Sequence, residues 1–205
     1  MEVRGPLDAG VTEAARVITS GGVAVIPTET LYGLAANPLD ERAVRRIYEI
    51  KRRDPRKPLI VLASTPRIAA TLTLWEPRAT ALAKAFWPGP LTLVLRARPS
   101  LPPVLLGGGT TVGVRVPGSP IALAILARAG GVATGTSANI SGMQPPRSVD
   151  ELDPRIVEEA DIVVDAGRLP GTPSTLISLV GRPEVLREGA VPAREALGVI
   201  GARAP

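Results

Sequence analysis

The 205-residue sequence predicts one α/β domain built on a mixed sheet. Short apolar runs of strand length alternate with segments whose apolar residues recur at helical spacing. Polar loops rich in Gly, Ser and Thr separate them. The last two predicted strands flank the turn at 181–183 and indicate a hairpin, so the sheet combines antiparallel and parallel pairs. The expected domain covers residues 1–205, with its core at about 8–191.

The helices are predicted from capping residues and apolar spacing. Thr12 starts a helix that Gly21 and Gly22 end, and Asp40 caps a second helix that carries Val44, Ile47 and Tyr48. Further helices are predicted at 77–86, at 121–129 after Ser119, near 156–160, and in short form after Pro192 before a loose tail to residue 205. The predicted strands, in chain order, are 23–26, 59–62, 91–95, 112–116, 132–134, 162–164, 175–180 and 184–187.

Composition removes several kinds of site. The chain has no Cys and no His, which excludes disulfides, Cys nucleophiles, Ser-His-Asp triads and HExxH zinc sites. The net charge of +5 permits an anionic substrate or RNA, although compositional bias accounts equally well for a basic chain dominated by Arg. No apolar run is long enough to span a bilayer, and no signal peptide is apparent, so we expect a cytoplasmic protein with no membrane partner.

Polar residues recur where predicted strands end. Thr28 and Thr30 follow the first strand, Gly- and Thr-rich segments lie at 107–111 and 135–139, and a Pro-Ser-Thr segment lies at 173–175. A cationic cluster at 51–57 precedes the second strand. Loops of this kind bind ligands at strand ends in α/β sheets. Neither a GxGxxG nor a Walker sequence occurs, so the pattern predicts a nucleotide-using enzyme of another kind.

Six motifs occur in a fixed order along nearly the whole chain. They are PTETLYGL at 27–34, a Lys-x-Arg pair followed by KPLIVL at 57–62, TVGVRVP at 111–117, GTSANISG at 135–142, PSTLISL at 173–179 and VLREGAV at 185–191. In these motifs the chain resembles the YrdC-like family of threonylcarbamoyl-AMP synthases, in its short single-domain form.

The resemblance implies a fold and a reaction. The fold would be a twisted mixed sheet with flanking helices and a basic concave cleft. The reaction would join L-threonine, bicarbonate and ATP into threonylcarbamoyl-AMP and pyrophosphate, and the product would serve the threonylcarbamoyladenosine modification of tRNA. Mg²⁺ would enter with ATP and not through a metal site of the protein. The implied partners are tRNA threonylcarbamoyl-transferase proteins, which accept the product, and a weak contact with tRNA.

The resemblance also implies roles for individual residues. Lys51 and Arg53 match the catalytic Lys-x-Arg pair that contacts ATP phosphates. The threonine-binding positions are Thr30, Arg115 and Ser174. The remaining nucleotide-binding positions are Lys57, Thr111, Ser137, Asn139 and Arg187. Glu29 is a candidate general base, but a structural role is favoured for it.

The chain departs from the family pattern at a few positions. Many relatives have Asn at Lys57 and His at Leu62, and Pro145 and Pro173 replace Ser and Glu. These changes affect amino-acid recognition, and serine and threonine are both acceptable substrates on the sequence alone.

Two other functions fit parts of the pattern. One is a non-enzymatic RNA-binding protein that uses the basic cleft, although RNA stacking favours aromatic residues and only five are present. The other is a transferase that handles carbamoyl-AMP, whose relatives carry Cys-rich and His-bearing motifs that this chain lacks.

Overall fold

The computed structural model describes residues 2–3 and 7–202, with side chains from residue 8 onward. The helices are α1 (Leu7–Thr19), α2 (Glu41–Lys51), α3 (Pro66–Leu72), α4 (Pro77–Phe86), α5 (Pro120–Arg128), α6 (Pro154–Glu159) and α7 (Ala193–Val199), with a 3₁₀ turn at Val149–Glu151. The strands are β1 (Glu2–Val3), β2 (Ala24–Pro27), β3 (Tyr32–Ala35), β4 (Ile60–Ala63), β5 (Leu91–Arg96), β6 (Thr111–Arg115), β7 (Val132–Thr134), β8 (Thr136–Ser137), β9 (Ile162–Val164), β10 (Thr175–Ser178) and β11 (Glu184–Arg187).

The strands form two mixed sheets. One has the order β1-β9-β2-β3-β8 and the other the order β11-β10-β5-β6-β4-β7. In the second sheet β4 and β6 run parallel, whereas β5 and β6 run antiparallel. Only Gly135 separates β7 from β8, so the chain passes there from one sheet to the other. The predicted α/β class and mixed pairing are confirmed, with the strands divided over two sheets.

The five-stranded sheet contains a strand that apolar runs did not indicate. β3 lies inside the PTETLYGL motif and pairs antiparallel with β2, with Ile26 opposite Gly33. The turn between them is closed by Thr28, whose hydroxyl accepts hydrogen bonds from the backbone N–H groups of Thr30 and Leu31 at 3.2 Å each. A side-chain oxygen that bonds nearby backbone groups is typical of such turns. The motif is therefore both a turn and a strand.

The six-stranded sheet has one apolar face and one polar face. In β6, Val112 and Val114 are fully buried in the core, while Thr111, Gly113 and Arg115 point the other way. This alternation follows from the two-residue period of a strand. The predicted hairpin is confirmed as β10 and β11, which pair antiparallel. The polar face is the one that borders the cleft described below.

Capping explains where several helices start. Asp40 accepts hydrogen bonds from the N–H groups of Arg42 and Ala43, and Ser119 accepts one from Ala122, as predicted. α1 instead begins at Leu7, because the hydroxyl of Thr12 donates to the carbonyl of Asp8 inside the helix and does not cap it.

Two shorter helices complete the description. α3 was not predicted, although Thr65 caps it through the N–H of Ile68. α7 is the short helix predicted after Pro192, and it packs Ala196 and Leu197 into the core. Residues 203–205 of the predicted tail lie outside the described residues. In the part of the chain that the structure describes, no helix has the length and apolar character needed to cross a membrane.

Candidate functional site

A cleft of about 480 Å³ lies between the two sheets, a volume typical of small-molecule sites. The side chains that border it from the six-stranded sheet belong to Ile60, Leu62, Thr92, Val94, Thr111, Arg115 and Leu176. The five-stranded sheet contributes Ile26, Tyr32, Gly33, Thr136 and Ser137, and the turn before β3 contributes Thr28 and Thr30. Gly113 lies in the floor, where a Cβ atom would come within 3.1 Å of Ile60 and 3.3 Å of Thr92. Because Gly113 has no side chain, the cleft stays open above it.

Seven of the ten predicted site residues line this cleft. They are Thr30, Arg53, Thr111, Arg115, Ser137, Ser174 and Arg187. Lys51, Lys57 and Asn139 lie next to the cleft but outside its lining. We call the group of Thr30, Arg115, Ser174 and Arg187 the Arg115 end, and the group of Arg53, Thr111 and Ser137 the Arg53 end.

Arg115 is held on three sides at the end of β6. Its Nε donates to the carbonyl of Gly89 at 3.1 Å, and its Nη atoms lie 3.3 and 3.4 Å from Oγ1 of Thr30. Its Nη2 lies 2.6 Å from Oε1 of Glu29. The Arg115 side chain is only 7% exposed, so its guanidinium is fixed in place before any ligand enters. A guanidinium held in this way suits two parallel hydrogen bonds to a carboxylate.

Glu29 stands behind Arg115 in an uncommon state. Both of its carboxylate oxygens are buried, and neither accepts a hydrogen bond from a described residue. The 2.6 Å contact with Arg115 is therefore an ion pair in which the N–H groups do not point at the carboxylate. Sequence reasoning favoured a structural role for Glu29, and its packing against Arg115 fits that role.

Ser174 is the centre of a small hydrogen-bond network. Its hydroxyl lies 2.8 Å from that of Thr92, and Nη2 of Arg187 donates to the same hydroxyl at 3.1 Å. Arg187 also donates to the Ser174 carbonyl at 2.9 and 3.1 Å. Arg187 is exposed overall, but its guanidinium is partly buried. This burial and the nearby charge of Arg115 lower the pKa of Arg187. Thr92 was not predicted as a site residue. Its position between two leucines of β5 indicates that its side chain lies on the polar face of the sheet.

Gly189 allows the chain to close around this network. A Cβ atom there would lie 2.4 Å from the carbonyl oxygen of Pro173 and 2.5 Å from the backbone of Ser174. Thr175 fixes the segment after Gly189, because its hydroxyl donates a hydrogen bond to the carbonyl of Val191 at 2.5 Å. The glycine of the VLREGAV motif is thus needed for close backbone approach.

Lys51 lies behind the cleft wall and not in its lining. Its side chain is 2% exposed, and its Nζ donates to the backbone carbonyls of Ser137 and of Asn139, the latter at 2.7 Å. Its own carbonyl accepts the N–H of Ser141 at 2.8 Å. Burial, with a smaller contribution from Arg53, lowers the pKa of Lys51 to about 7. The lysine thus ties the end of α2 to the loop at 137–141.

Helical spacing gives the reason for this orientation. Lys51 lies four residues after Ile47 and three after Tyr48, on the same buried face of α2. The helix then ends at Arg52, whose φ of 48° is in the left-handed region. This turn directs Arg53 into the cleft, with its N–H groups donating to the carbonyls of Lys57 and Pro58 at 3.2 and 3.1 Å. Partial burial lowers the pKa of Arg53.

The other predicted nucleotide contacts divide in the same way. Ser137 lines the cleft and donates its hydroxyl to Oδ1 of Asn139 at 2.5 Å. Asn139 uses its amide to hold the carbonyls of Ile140 and Met143, so it shapes the loop from behind. Lys57 is exposed and lies outside the lining. It is connected with the cleft through its backbone carbonyl, which accepts a hydrogen bond from Nε of Arg53.

Three of the four positions that depart from the family pattern lie in the cleft wall, and Lys57 lies outside it. Leu62, Pro145 and Pro173 all line it. Leu62 is 2% exposed, and a Cβ atom on Gly135 would lie 2.5 Å from its Cγ. Leu62 therefore makes an apolar contact with Gly135 at the position where the resemblance implies a His.

Comparisons with known proteins identify the family of this chain. Residues 16–189 match the Sua5/YciO/YrdC family model, which carries the description "Telomere recombination". A protein of Pyrococcus abyssi named threonylcarbamoyl-AMP synthase is 41% identical over 191 residues, which are 92% of this chain and 56% of that protein. One of the same name from Alkalilimnicola ehrlichii is 37% identical, over 87% of this chain and 90% of that protein.

Solved structures agree with the sequence match. The structure of P. abyssi Sua5 complexed with L-threonine superposes with a TM-score of 0.89 at 38% identity, covering 99% of this chain and 61% of that one. The structure of Escherichia coli YciO gives 0.82 at 28% identity, covering 93% and 94% of the two chains. The chain thus spans little more than half of its Pyrococcus relative and nearly all of the shorter ones. The resemblance read from the six motifs is confirmed, and the chain belongs to the Sua5/YciO/YrdC family.

Proposed function

We propose that this chain is an L-threonylcarbamoyladenylate synthase, a nucleotidyltransferase that uses L-threonine, bicarbonate and ATP. The observation that carries the proposal is the division of one cleft into two ends with different donors. A buried guanidinium beside hydroxyl groups forms one end, and a cation beside a loop of small polar residues forms the other. The names of the relatives and the threonine complex of Sua5 support the same assignment.

The amino acid would occupy the Arg115 end. Its carboxylate would accept hydrogen bonds from the Nη atoms of Arg115, which donate to the hydroxyl of Thr30 in the free chain. The hydroxyl groups of Thr30 and Ser174 would complete the polar contacts. Leu62 supplies apolar surface in the cleft, which suits a methyl group better than a hydroxyl alone, and on this basis threonine is favoured over serine.

ATP would occupy the Arg53 end. Arg53 would contact phosphate oxygens directly, since its guanidinium lines the cleft. Thr111 and Ser137 would contact the nucleotide, and Arg187 would reach phosphates from the far side of the cleft. For Lys51, Lys57 and Asn139 we propose indirect roles, because the side chains of Lys51 and Asn139 hold backbone carbonyls and that of Lys57 is exposed.

The chemistry would proceed without a protein nucleophile, and the chain has no Cys or His for that role. The threonine amine attacks the carbon of bicarbonate and water leaves, which gives a carbamate. A carbamate oxygen then attacks the α-phosphorus of ATP, and the bond to the β-phosphate oxygen breaks to release pyrophosphate. Arg53 and Arg187 would stabilise the charge that builds up on the phosphates, which is the main contribution a protein makes to phosphoryl-type transfer.

Mg²⁺ would be held by the triphosphate of ATP. Among the described residues, no group of three or more His, Cys, Asp or Glu side chains converges into a metal cage. The donors that line the cleft are hydroxyls and guanidiniums, which fit a magnesium ion that keeps its waters and its phosphate ligands.

The test is pyrophosphate release measured with each substrate omitted in turn. Release should require threonine and bicarbonate together with ATP, and release that continues without threonine would overturn the proposal. Arg53→Ala should raise the KM for ATP, because a phosphate contact is lost. Arg56→Ala is the matched control, since Arg56 is exposed and pairs with Asp54 at 2.8 Å outside the cleft.

The product would pass to a transferase that modifies an adenosine of tRNA next to the anticodon. An adenylate of this kind is an activated carbamoyl donor, so a second protein with a tRNA site is required to consume it. Direct contact of this chain with tRNA is proposed only as weak and electrostatic, and raising the salt concentration should abolish it.

A further inference from the structure

A chain of hydrogen-bonding groups leads to the guanidinium of Arg115. Oγ1 of Thr28 lies 2.7 Å from the carbonyl oxygen of Leu31 and 2.8 Å from Oγ1 of Thr30. The Nη atoms of Arg115 lie 3.4 and 3.3 Å from the same oxygen of Thr30. Both threonines are buried. These groups form one continuous path from a backbone carbonyl to the guanidinium.

The carbonyl at one end of this path fixes where each hydrogen lies. A carbonyl oxygen only accepts hydrogen bonds, and a hydroxyl has a single hydrogen to donate. In the 2.7 Å contact with the carbonyl of Leu31, the hydrogen must therefore come from Thr28. Thr28 then has no hydrogen left for Thr30. The hydrogen in the 2.8 Å contact between the two hydroxyls must come from Thr30.

The Thr30 hydroxyl is consequently an acceptor toward the cleft. Its hydrogen is directed at Thr28, and its lone pairs face the Nη atoms of Arg115, which can only donate. The two ends of the path thus require the same direction. A carboxylate oxygen placed against Thr30 would meet lone pairs and no hydrogen. A ligand group that contacts this hydroxyl must supply a donor.

An amino acid has both kinds of group that this arrangement takes. Its carboxylate would attract the Nη atoms of Arg115, whose contacts with Thr30 are long for hydrogen bonds, and the lone pairs of Thr30 would become free. Its amine carries N–H donors in the charged and in the neutral form. The amine and the carboxylate are attached to the same carbon atom, so they can occupy neighbouring positions at Thr30 and Arg115.

We propose that Thr28 makes Thr30 an acceptor, and that Thr30 thereby holds the amine nitrogen of the amino acid while Arg115 holds its carboxylate. This inference rests on the proposed function, and it assigns a substrate group to each side chain. Thr30 orients the nucleophile, because an N–H bonded to Thr30 leaves the lone pair of the neutral amine directed elsewhere. Thr28 acts through Thr30 and is a positioning residue. A Thr28 that only closed the β2–β3 turn would affect stability but not the preference for ligands with an amine.

The experiment compares two ligands that differ in the amine alone. L-threonine and (R)-3-hydroxybutanoate share the carboxylate, the hydroxyl and the methyl group, and their dissociation constants are measured by NMR titration of the full chain without ATP. Thr30→Val removes the hydroxyl and keeps the branched shape. It should lower the preference for threonine over its amine-free analogue about tenfold, because a hydrogen bond from a charged donor is lost. A hydroxyl that served the carboxylate would weaken both ligands equally.

Substitutions of Thr28 test the direction of the Thr30 hydroxyl. Thr28→Val leaves the hydrogen of Thr30 free to turn into the cleft, and it should lower the same preference about threefold. Thr28→Ser keeps the hydroxyl and should keep the preference of the parent chain. Thr73→Val is the control, since it removes a buried hydroxyl that bonds to the carbonyl of Ala69 outside the cleft lining, and the preference should not change.

Three results would overturn the proposal. An unchanged preference in a folded Thr30→Val would mean that the amine lies elsewhere. An unchanged preference in a folded Thr28→Val, or an equal fall in Thr28→Ser, would mean that the Thr28 hydroxyl does not set the direction. If Thr28→Val does not fold, Thr30→Val and Thr28→Ser decide.

The same titrations separate this inference from the proposed function. A parent chain that bound no threonine would overturn the proposed function and this inference together. Threonine binding in the parent chain, combined with an unchanged preference in Thr30→Val, would overturn this inference alone.

Discussion

The two ends of the cleft are built by different means. The Arg115 end brings together side chains from the β2–β3 turn, β5, β6 and the β10–β11 hairpin, with an ion pair and a hydroxyl pair at its centre. The Arg53 end depends on one helix terminus, where a buried lysine holds the carbonyls of an adjacent loop. One end is stabilised by charge pairing between distant segments, and the other by hydrogen bonds to the backbone.

This difference predicts how each end responds to substitution. Removing one partner of a buried ion pair leaves an uncompensated charge, which costs more than leaving a neutral carbonyl unpaired. Substitutions at the Arg115 end should therefore lower the free energy of unfolding more, and their effect should extend to the core strands. Damage at the Arg53 end should be smaller and local.

The largest effect is expected from Arg115→Ala. It leaves the buried carboxylate of Glu29 without its counter-ion and should lower the free energy of unfolding by about 3–5 kcal/mol. Urea unfolding measures this loss. Arg128→Ala is the control, because it breaks an exposed pair with Asp8 and should cost about 0–1 kcal/mol. Equal losses in the two variants would remove the contrast between the ends.

A smaller loss is expected from Lys51→Met. The carbonyls of Ser137 and Asn139 lose their donor, and we expect about 2–3 kcal/mol in urea unfolding at neutral pH. The loop would loosen, so the KM for ATP should rise while threonine affinity changes little. Lys84→Met alters an exposed lysine on α4 and should leave both quantities unchanged. A selective loss of threonine affinity would contradict the division into two ends.

The pH dependence of stability gives a sharper test of Lys51. Its pKa of about 7 lies below the ordinary value, so between about pH 7 and pH 10 the unfolded chain binds a proton there that the folded chain has released. Stability then rises with pH across this window, compared with Lys51→Met. The neutral amine still has two N–H groups for the two carbonyls. Parallel stability curves for the two chains would show that the lysine stays charged.

The smallest effect is expected from Thr92→Val. It removes one hydroxyl from the contact with Ser174 and should cost about 1 kcal/mol, because Arg187 still donates to Ser174. Threonine affinity should fall only slightly. Thr71→Val, at an exposed hydroxyl that donates to Ile68, is the matched control. A loss as large as that of Arg115→Ala would mean that the hydroxyl pair, not the ion pair, organises this end.

The sequence allowed the Arg115 end to be anticipated more fully than the Arg53 end. Arg115 and Ser174 follow strand alternation and lie in the motifs, and both line the cleft. The contact of Lys51 with ATP phosphates stays a prediction, and the sequence-based reading did not anticipate that Lys51 lies outside the cleft lining. Its spacing from Ile47 and Tyr48 contained the answer, because apolar spacing on a helix applies to any residue at that position, charged or not.

Pairings between distant segments could not be read from local patterns. β3, which follows directly on a turn, also pairs with the distant β8, where Gly33 lies opposite Ser137. The ion pair of Glu29 with Arg115 joins positions 86 residues apart in the numbering. The choice of which strands share a sheet depends on such contacts, so one sheet was expected where two exist.

The single residue between β7 and β8 has a consequence for how the two sheets can move. Because only Gly135 separates β7 from β8, and Thr134 of β7 also bonds to Leu34 and Ala36, the two sheets cannot separate there. One inserted residue would also shift β8 by one place against β3 and turn Ser137 away from the nucleotide end. An insertion at this junction should therefore be tolerated less well than one at the exposed turn around Arg182, where it would only lengthen a hairpin.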